Sequence, residues 1–226
     1  TSSRWNPLGG IYDMYQEQFE TGKDIKAHRD SMANYPHLIP MDGLAEDGDV
    51  WIEWRGKAYA DPSHCEDDIS VQKQQIYDEM YEVLNDLVSV ICPVENEKDP
   101  VWEKGARSII MAMSLAMLED SEEPELGMTK DKFNFFNITK ALTNSTNEFA
   151  ALKRYFEGRN ALSQAYTLSR QVLSAAESTL SSYMSITFDK LNMFNDRGIC
   201  GLTSATDIHA EEFAEKPTAL FMKIPD

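Results

Sequence analysis

The sequence predicts a mainly α-helical protein: a multi-helix bundle with one long C-terminal helix, a small β-hairpin, and terminal segments that belong to an α/β domain outside the 226 residues. Three observations carry this expectation. Apolar residues recur at spacings of three, four and seven along most of the chain. Residues that favour strands cluster at only one internal place, Val50–Ala60. The run Thr218–Ile224 reads as a strand with no partner of matching length, and a lone strand is not stable. The chain also lacks an initiator Met, so we expect an excised piece of a larger protein. Residues 1–8 are then a flank of another domain, 9–210 the helical body, and 211–226 the return strand.

The elements follow in order. From Leu8 to Tyr35 the pattern Ile11, Tyr15, Phe19, Ile25, Met32 predicts a helix, broken at Gly22 and ended by Pro36 and Pro40. Trp, Ile, Val and Tyr around Arg55-Gly56 predict the hairpin. Asp67 or Asp68 then caps a helix through Ile69, Ile76, Met80, Leu84, Leu87 and Ile91, stopped by Pro93. Asp99-Pro100 predicts an N-cap followed by proline at the first helical position, where the missing N–H costs nothing. That helix reaches about Leu118 and is apolar nearly all round from Ile109, which places it at the centre of the bundle. The acidic turn Glu119–Glu125 ends it. Thr129 caps a helix through Phe133, Phe136 and Leu142, and a short one spans Asn147–Glu157, closed by Gly158. Last, the stripe Leu162, Tyr166, Leu173, Leu180, Tyr183, Leu191 predicts one helix from Ala161 to Asn195, roughly 50 Å long.

Composition narrows the function. Apolar residues make up 42%, enough for a core, and 26% are charged, so the chain is no disordered tail. A net charge of −17 repels nucleic acid and anionic lipid on average. The longest strongly apolar run, Ile109–Leu118, is about half of what a membrane span requires. The N-terminus has no apolar signal core, and three widely spaced cysteines fit a reducing cytosol. The sequons at Asn137 and Asn144 are therefore chance matches.

No catalytic motif appears. A phosphate-binding loop is excluded because Glu17 stands where the first glycine before Gly22-Lys23-Asp24 should be, and Asp24 repels phosphate. His64-Cys65 near Asp61 and Asp67 is a coincidence of residues in a loop, and the acid pairs are solvated faces. Met111, Met113 and Met117 follow helical spacing and belong to the core. Charge is uneven, however. Between Met128 and Ala175 lie seven basic residues, Lys130, Lys132, Lys140, Lys153, Arg154, Arg159 and Arg170, against three acidic ones. That segment is +4, so −21 falls on the rest of a chain whose total is −17. Aromatics interleave with these cations, a pattern that single-strand binding surfaces use, although aromatics are as often core.

The order of segments resembles one family. Trp5-Asn6-Pro7 resembles the Asn-Pro segment of type IV secretion coupling proteins, the TraG/TraD-like conjugation ATPases. Asp99-Pro100-Val101-Trp102 is similar to their Asp-Pro-Phe-Trp helix start. Thr179 and Ser182 with Leu191 and Phe194 match a Thr-x-x-Ser and Leu-x-x-Phe helix, and Lys216-Pro217-Thr218 onward resembles the return into an ATPase sheet. The resemblance implies the all-α domain of a membrane-anchored, hexameric ATPase, lying at the cytoplasmic face of the membrane and receiving a relaxase–DNA complex or accessory proteins. ATP and Mg²⁺ are then expected in the parent protein, while this piece holds no cofactor, metal or catalytic residue and is a monomer. Single-stranded DNA is a further partner the basic segment allows. An independent acidic helical adaptor for basic proteins is the alternative.

Overall fold

The structure is a computed structural model that describes residues 4–39, 43–46, 48–95, 98–143 and 149–207. Eight helices lie among them: α1 (Gly9–Glu20), α2 (Pro62–Ile91), α3 (Val101–Asp120), α4 (Phe135–Thr143), α5 (Ala150–Glu157), α6 (Gln164–Leu173), α7 (Glu177–Leu191) and α8 (Arg197–Thr203). Three strands, β1 (Lys26–His28), β2 (Trp51–Trp54) and β3 (Lys57–Tyr59), form an antiparallel sheet in that order. The mainly α class and the hairpin are as the sequence predicts. The chain divides into two compact units, Asp13–Val83 and the combination of Thr1–Tyr12 with Leu84–Asp226, so α1 and α2 contribute to both.

In the smaller unit the hairpin turns on Arg55 and Gly56, both at positive φ, which matches the twist of the strands it joins. Trp51 and Ala58 pack with Met32 and Leu38, while Trp54 and Tyr59 pack with Cys65 and Ile69. The predicted helix from Leu8 to Tyr35 is corrected here. It ends at Glu20, and Lys26–His28 is a strand because Trp51, Ile52 and Glu53 offer it a ladder. Three residues are too few to leave a periodic signal. The start of α2 is also corrected. Asp61 is the cap, accepting from Ser63 N at 2.9 Å, and Pro62 opens the helix. Asp68 instead accepts from Lys57 Nζ and Tyr59 OH.

In the larger unit every residue of α3 from Ile109 to Leu118 is buried, and α6 and α7 pack on it. Ser114, fully buried there, donates to the Ile110 carbonyl at 2.8 Å, so its hydroxyl is satisfied inside the apolar helix. Three expectations fail in this unit. Pro100 is the cap residue rather than the first helical one, and Asp99 accepts from Trp102 Nε1 instead of capping. Thr129 starts only a turn. The helix begins at Phe135, where Asn134 Oδ1 accepts from Asn137 N at 2.9 Å.

The single long C-terminal helix does not exist. It is α6 and α7, separated at Ser174–Ala176, where Ala176 is extended with ψ 145°, followed by a 3₁₀ turn and α8. Leu162, counted in the expected stripe, is 92% exposed. The longest helix is α2, with 30 residues. The strand expected at Thr218–Ile224, with Pro217 and Thr218, and the Asn144 sequon lie outside the described residues.

The first and last described segments of this unit pair with each other. Trp5 N donates to the Leu202 carbonyl, Asn6 N to Thr206 Oγ1, and Asp207 N to the Arg4 carbonyl at 2.8 Å. The Arg4 guanidinium closes on the Asp207 carboxylate through Nε and Nη2, both at 2.9 Å. Asn6 is buried. Its Nδ2 donates to the Phe133 carbonyl and its Oδ1 accepts from Leu8 N, fixing the approach to α1.

Candidate functional site

The acidic turn of the sequence separates into two chemically different halves. Glu119 and Asp120 belong to the last turn of α3 and point inward. Arg159, just past the Gly158 cap of α5, donates Nη1 to Glu119 Oε2 at 2.9 Å and Nη2 to Asp120 Oδ1. Its side chain is 10% exposed, and the guanidinium lies 4.5 Å from the Tyr155 ring centre. Tyr155 OH donates to Asp120 Oδ2 at 2.6 Å, and Ala165 N, in the first turn of α6, donates to Glu119 Oε1. Burial opposes the Arg159 charge, but Tyr155, Asp120 and Glu119 outweigh it and raise its pKa. Burial first, and then the hydrogen bond to Asp120, push the Tyr155 phenol well up. The other half, Glu122, Glu123 and Glu125, is exposed.

Two cavities flank α5. The larger, about 570 Å³, is a groove bounded by α3, α4, α5 and the segment before α4. Met113 and Met117 of α3 and Met128 line it, with Leu152 and the small residues Ala141 and Ala151. Its polar lining residues are Asp120, Lys132, Asn137 and Tyr155. Helical spacing assigns Met113 and Met117 to the core. Met113 and Met117 are indeed buried, and they also form a lining that faces this space. No sequence signal separated the two roles, because both obey the helical period.

The second cavity, about 250 Å³, lies between α5 and α6 and brings Lys153 and Arg170 together with Phe156, Tyr166 and Glu157. Arg170 donates to Tyr166 OH at 3.1 Å and lies over its ring. The remaining basic residues do not join them there. Lys140 covers the Phe136 ring, Arg154 bonds the Ala150 carbonyl, Lys132 donates to the Gly127 carbonyl, and the Lys130 stem lies beside Gly9. Arg159 is held by its two carboxylates.

The family-motif positions are mainly architectural. Leu191 is fully buried, and Phe194 stacks on Phe135 with ring centres 4.7 Å apart. Trp102 sits against Tyr183 at 5.8 Å, Thr179 is half-buried, and Ser182 is exposed and bonded to the Ser178 carbonyl. Trp5 is 59% exposed and Pro7 half-buried beside Asn6. Among the described residues no helix is long and apolar enough to cross a membrane, and no three His, Cys, Asp or Glu residues gather as metal ligands would.

The class so defined is a helical unit whose first and last described segments pair side by side. The family described as type IV secretory system conjugative DNA transfer matches residues 2–226, and the chain belongs to it. No curated protein and no solved structure matches the chain.

Proposed function

We propose that this chain is the substrate-recognition part of a conjugative coupling protein, which recruits a relaxase–DNA complex or accessory transfer proteins to the translocation channel. The observation that carries this is the pairing of Arg4–Asn6 with Leu202–Asp207. A body that returns to its starting point suits insertion into a host domain, leaving its helices free to meet a partner. The family assignment and the charge of −17 support the same reading, because a basic substrate protein is drawn to such a surface. The parent is a membrane-anchored hexameric ATPase that binds ATP and Mg²⁺ elsewhere. This chain acts at the cytoplasmic face of the membrane, is a monomer in isolation, and performs no catalysis. The test is binding of the purified chain to the relaxase–DNA complex and accessory proteins of its own conjugative element, with transfer measured after the 9–207 body is deleted from the parent. Binding together with lost transfer supports recognition. Binding of unrelated basic proteins with transfer unaffected supports the acidic adaptor instead.

A second reading has one observation behind it. The pocket between α5 and α6 pairs Lys153 and Arg170 with the Tyr166 ring, a combination that suits one phosphate and one stacked base of single-stranded DNA. Each lost phosphate contact lowers the slope of log affinity against log salt by about 0.7. Reversing Lys153 and Arg170 to Glu removes most of any single-strand binding and flattens that slope by about 0.7. A double variant with the parent's slope and affinity rules the pocket out.

A further inference from the structure

We propose that the groove between α3, α4 and α5 is the docking site for a partner segment that inserts apolar side chains and carries basic residues beside them. The inference rests on the recognition reading above and names the chemistry of the partner. Among the described residues, each of the groove's four polar lining side chains already has a partner in the protein. Asp120 takes Arg159 and Tyr155, Lys132 donates to the Gly127 carbonyl, and Asn137 Nδ2 donates to the Lys132 carbonyl at 2.8 Å. A polar group pushed into the groove leaves its water and gains little, a loss of about 1–3 kcal/mol per unmade hydrogen bond. An apolar side chain instead meets Met113, Met117, Met128 and Leu152. Thioether side chains are unbranched and adapt to the shape of what they hold, the property that promiscuous peptide grooves use. The volume, about 570 Å³, lies in the range of pockets that hold real ligands.

Charge on the two rims then fixes what lies next to the apolar anchors. The turn that leads from α3 to Met128 exposes Glu122, Glu123 and Glu125. Lys132, exposed in the lining and bonded to the Gly127 carbonyl of that turn, offsets one of these charges, and the α4 and α5 side exposes Lys140 and Arg154. Basic residues of the partner are therefore attracted to the turn and repelled from α5, which gives the segment a direction as well as a composition. An amphipathic helix meets both requirements, with apolar residues at i, i+3 and i+4 in the groove and lysine or arginine on the edge nearest the turn.

The experiment uses NMR of the full chain with methyl-labelled methionine and synthetic amphipathic peptides of about 15 residues, four helical turns. One peptide combines a leucine face with lysines, and the other replaces every lysine by glutamate. The lysine peptide is expected to shift Met113, Met117 and Met128 while leaving Met32 and Met80 in place. The glutamate peptide is expected to bind at least about tenfold more weakly, as are the plugged variants Ala151→Trp and Ala141→Leu. Far-UV circular dichroism of each variant identifies any that fails to fold, and the other plug then decides. Equal shifts at Met32 and Met80, equal affinity for both peptides, or unchanged affinity in a folded plugged variant each overturn the proposal. Relaxase-complex binding that survives in Ala151→Trp also overturns the groove as the docking site, while leaving the recognition reading intact. Absence of that binding in the unaltered chain, with the lysine peptide still seated on the methionines, overturns the recognition reading and supports the groove.

Discussion

At the end of α3 the Arg159 guanidinium spans the carboxylates of Glu119 and Asp120. In sequence it is one of seven cations in a basic segment, and in the structure it neutralises the end of α3. Removing one partner of such a pair leaves the others desolvated and unpaired, a loss of about 3 kcal/mol. Arg159→Ala is therefore expected to lower the urea midpoint by far more than Arg154→Ala, whose exposed guanidinium bonds only a helix carbonyl. Equal midpoints would contradict the buried ion pair. Tyr155 supplies a pH signature for the same cluster. Its phenol is pushed up by burial and by Asp120, as Tyr59 is by burial and Asp68. In each case the folded state holds the proton more tightly than the unfolded state. The stabilisation is complete below the unfolded pKa of about 10 and is lost as pH rises above it. Thermal denaturation followed through that alkaline range is expected to show a falling Tm, with a shallower fall in Tyr155→Phe. An identical slope in that variant would detach Tyr155 from the effect.

At the level of elements, the packing of α3 against α7 depends on a missing side chain. A Cβ built on Gly105 runs into the Tyr183 ring, closer than any allowed contact. Alanine would otherwise favour the helix by about 1 kcal/mol. Overpacking costs about 1–3 kcal/mol, so Gly105→Ala is expected to destabilise the protein. In a Tyr183→Ala background the same change becomes neutral or stabilising, and a double-mutant cycle from chemical denaturation measures that coupling. Stabilisation in the unaltered background would contradict the contact. This helix pair also shows what the sequence could and could not reveal. The all-apolar stretch of α3 and the Arg55-Gly56 turn were legible because each has a local cause, burial on every side and a two-residue loop. The division between α6 and α7 was not, because Ser174-Ala175-Ala176 contains no proline or glycine and tertiary packing decides where the helix stops. Strand β1 was hidden for the same reason, since its only signal is the neighbour it pairs with. The groove was hidden because Met113 and Met117 satisfy the core pattern whether or not open space adjoins them.

Across the whole molecule the uneven charge governs approach rather than fold. With −17 overall, association with a basic partner is steered at long range, and the steering is screened over about 8 Å at physiological salt. Association rates with a relaxase complex, measured by stopped-flow across a salt series, are expected to fall steeply as ionic strength rises. A flat profile would remove electrostatics from the account. Calorimetry with ATP and Mg²⁺ is expected to give no saturable heat, since no glycine-rich loop with a lysine is present to surround phosphates. Helix α5 has a consequence of a different kind. Its eight residues contribute Leu152 and Tyr155 to the methionine groove and Lys153 and Phe156 to the basic pocket. A ligand that shifts or stiffens this shared wall from one side changes the binding free energy on the other. Linkage makes that influence mutual, by the same factor in both directions. An occupant of the groove and an anion in the pocket would thus report on each other across a single helix, so the unit could register two arrivals together.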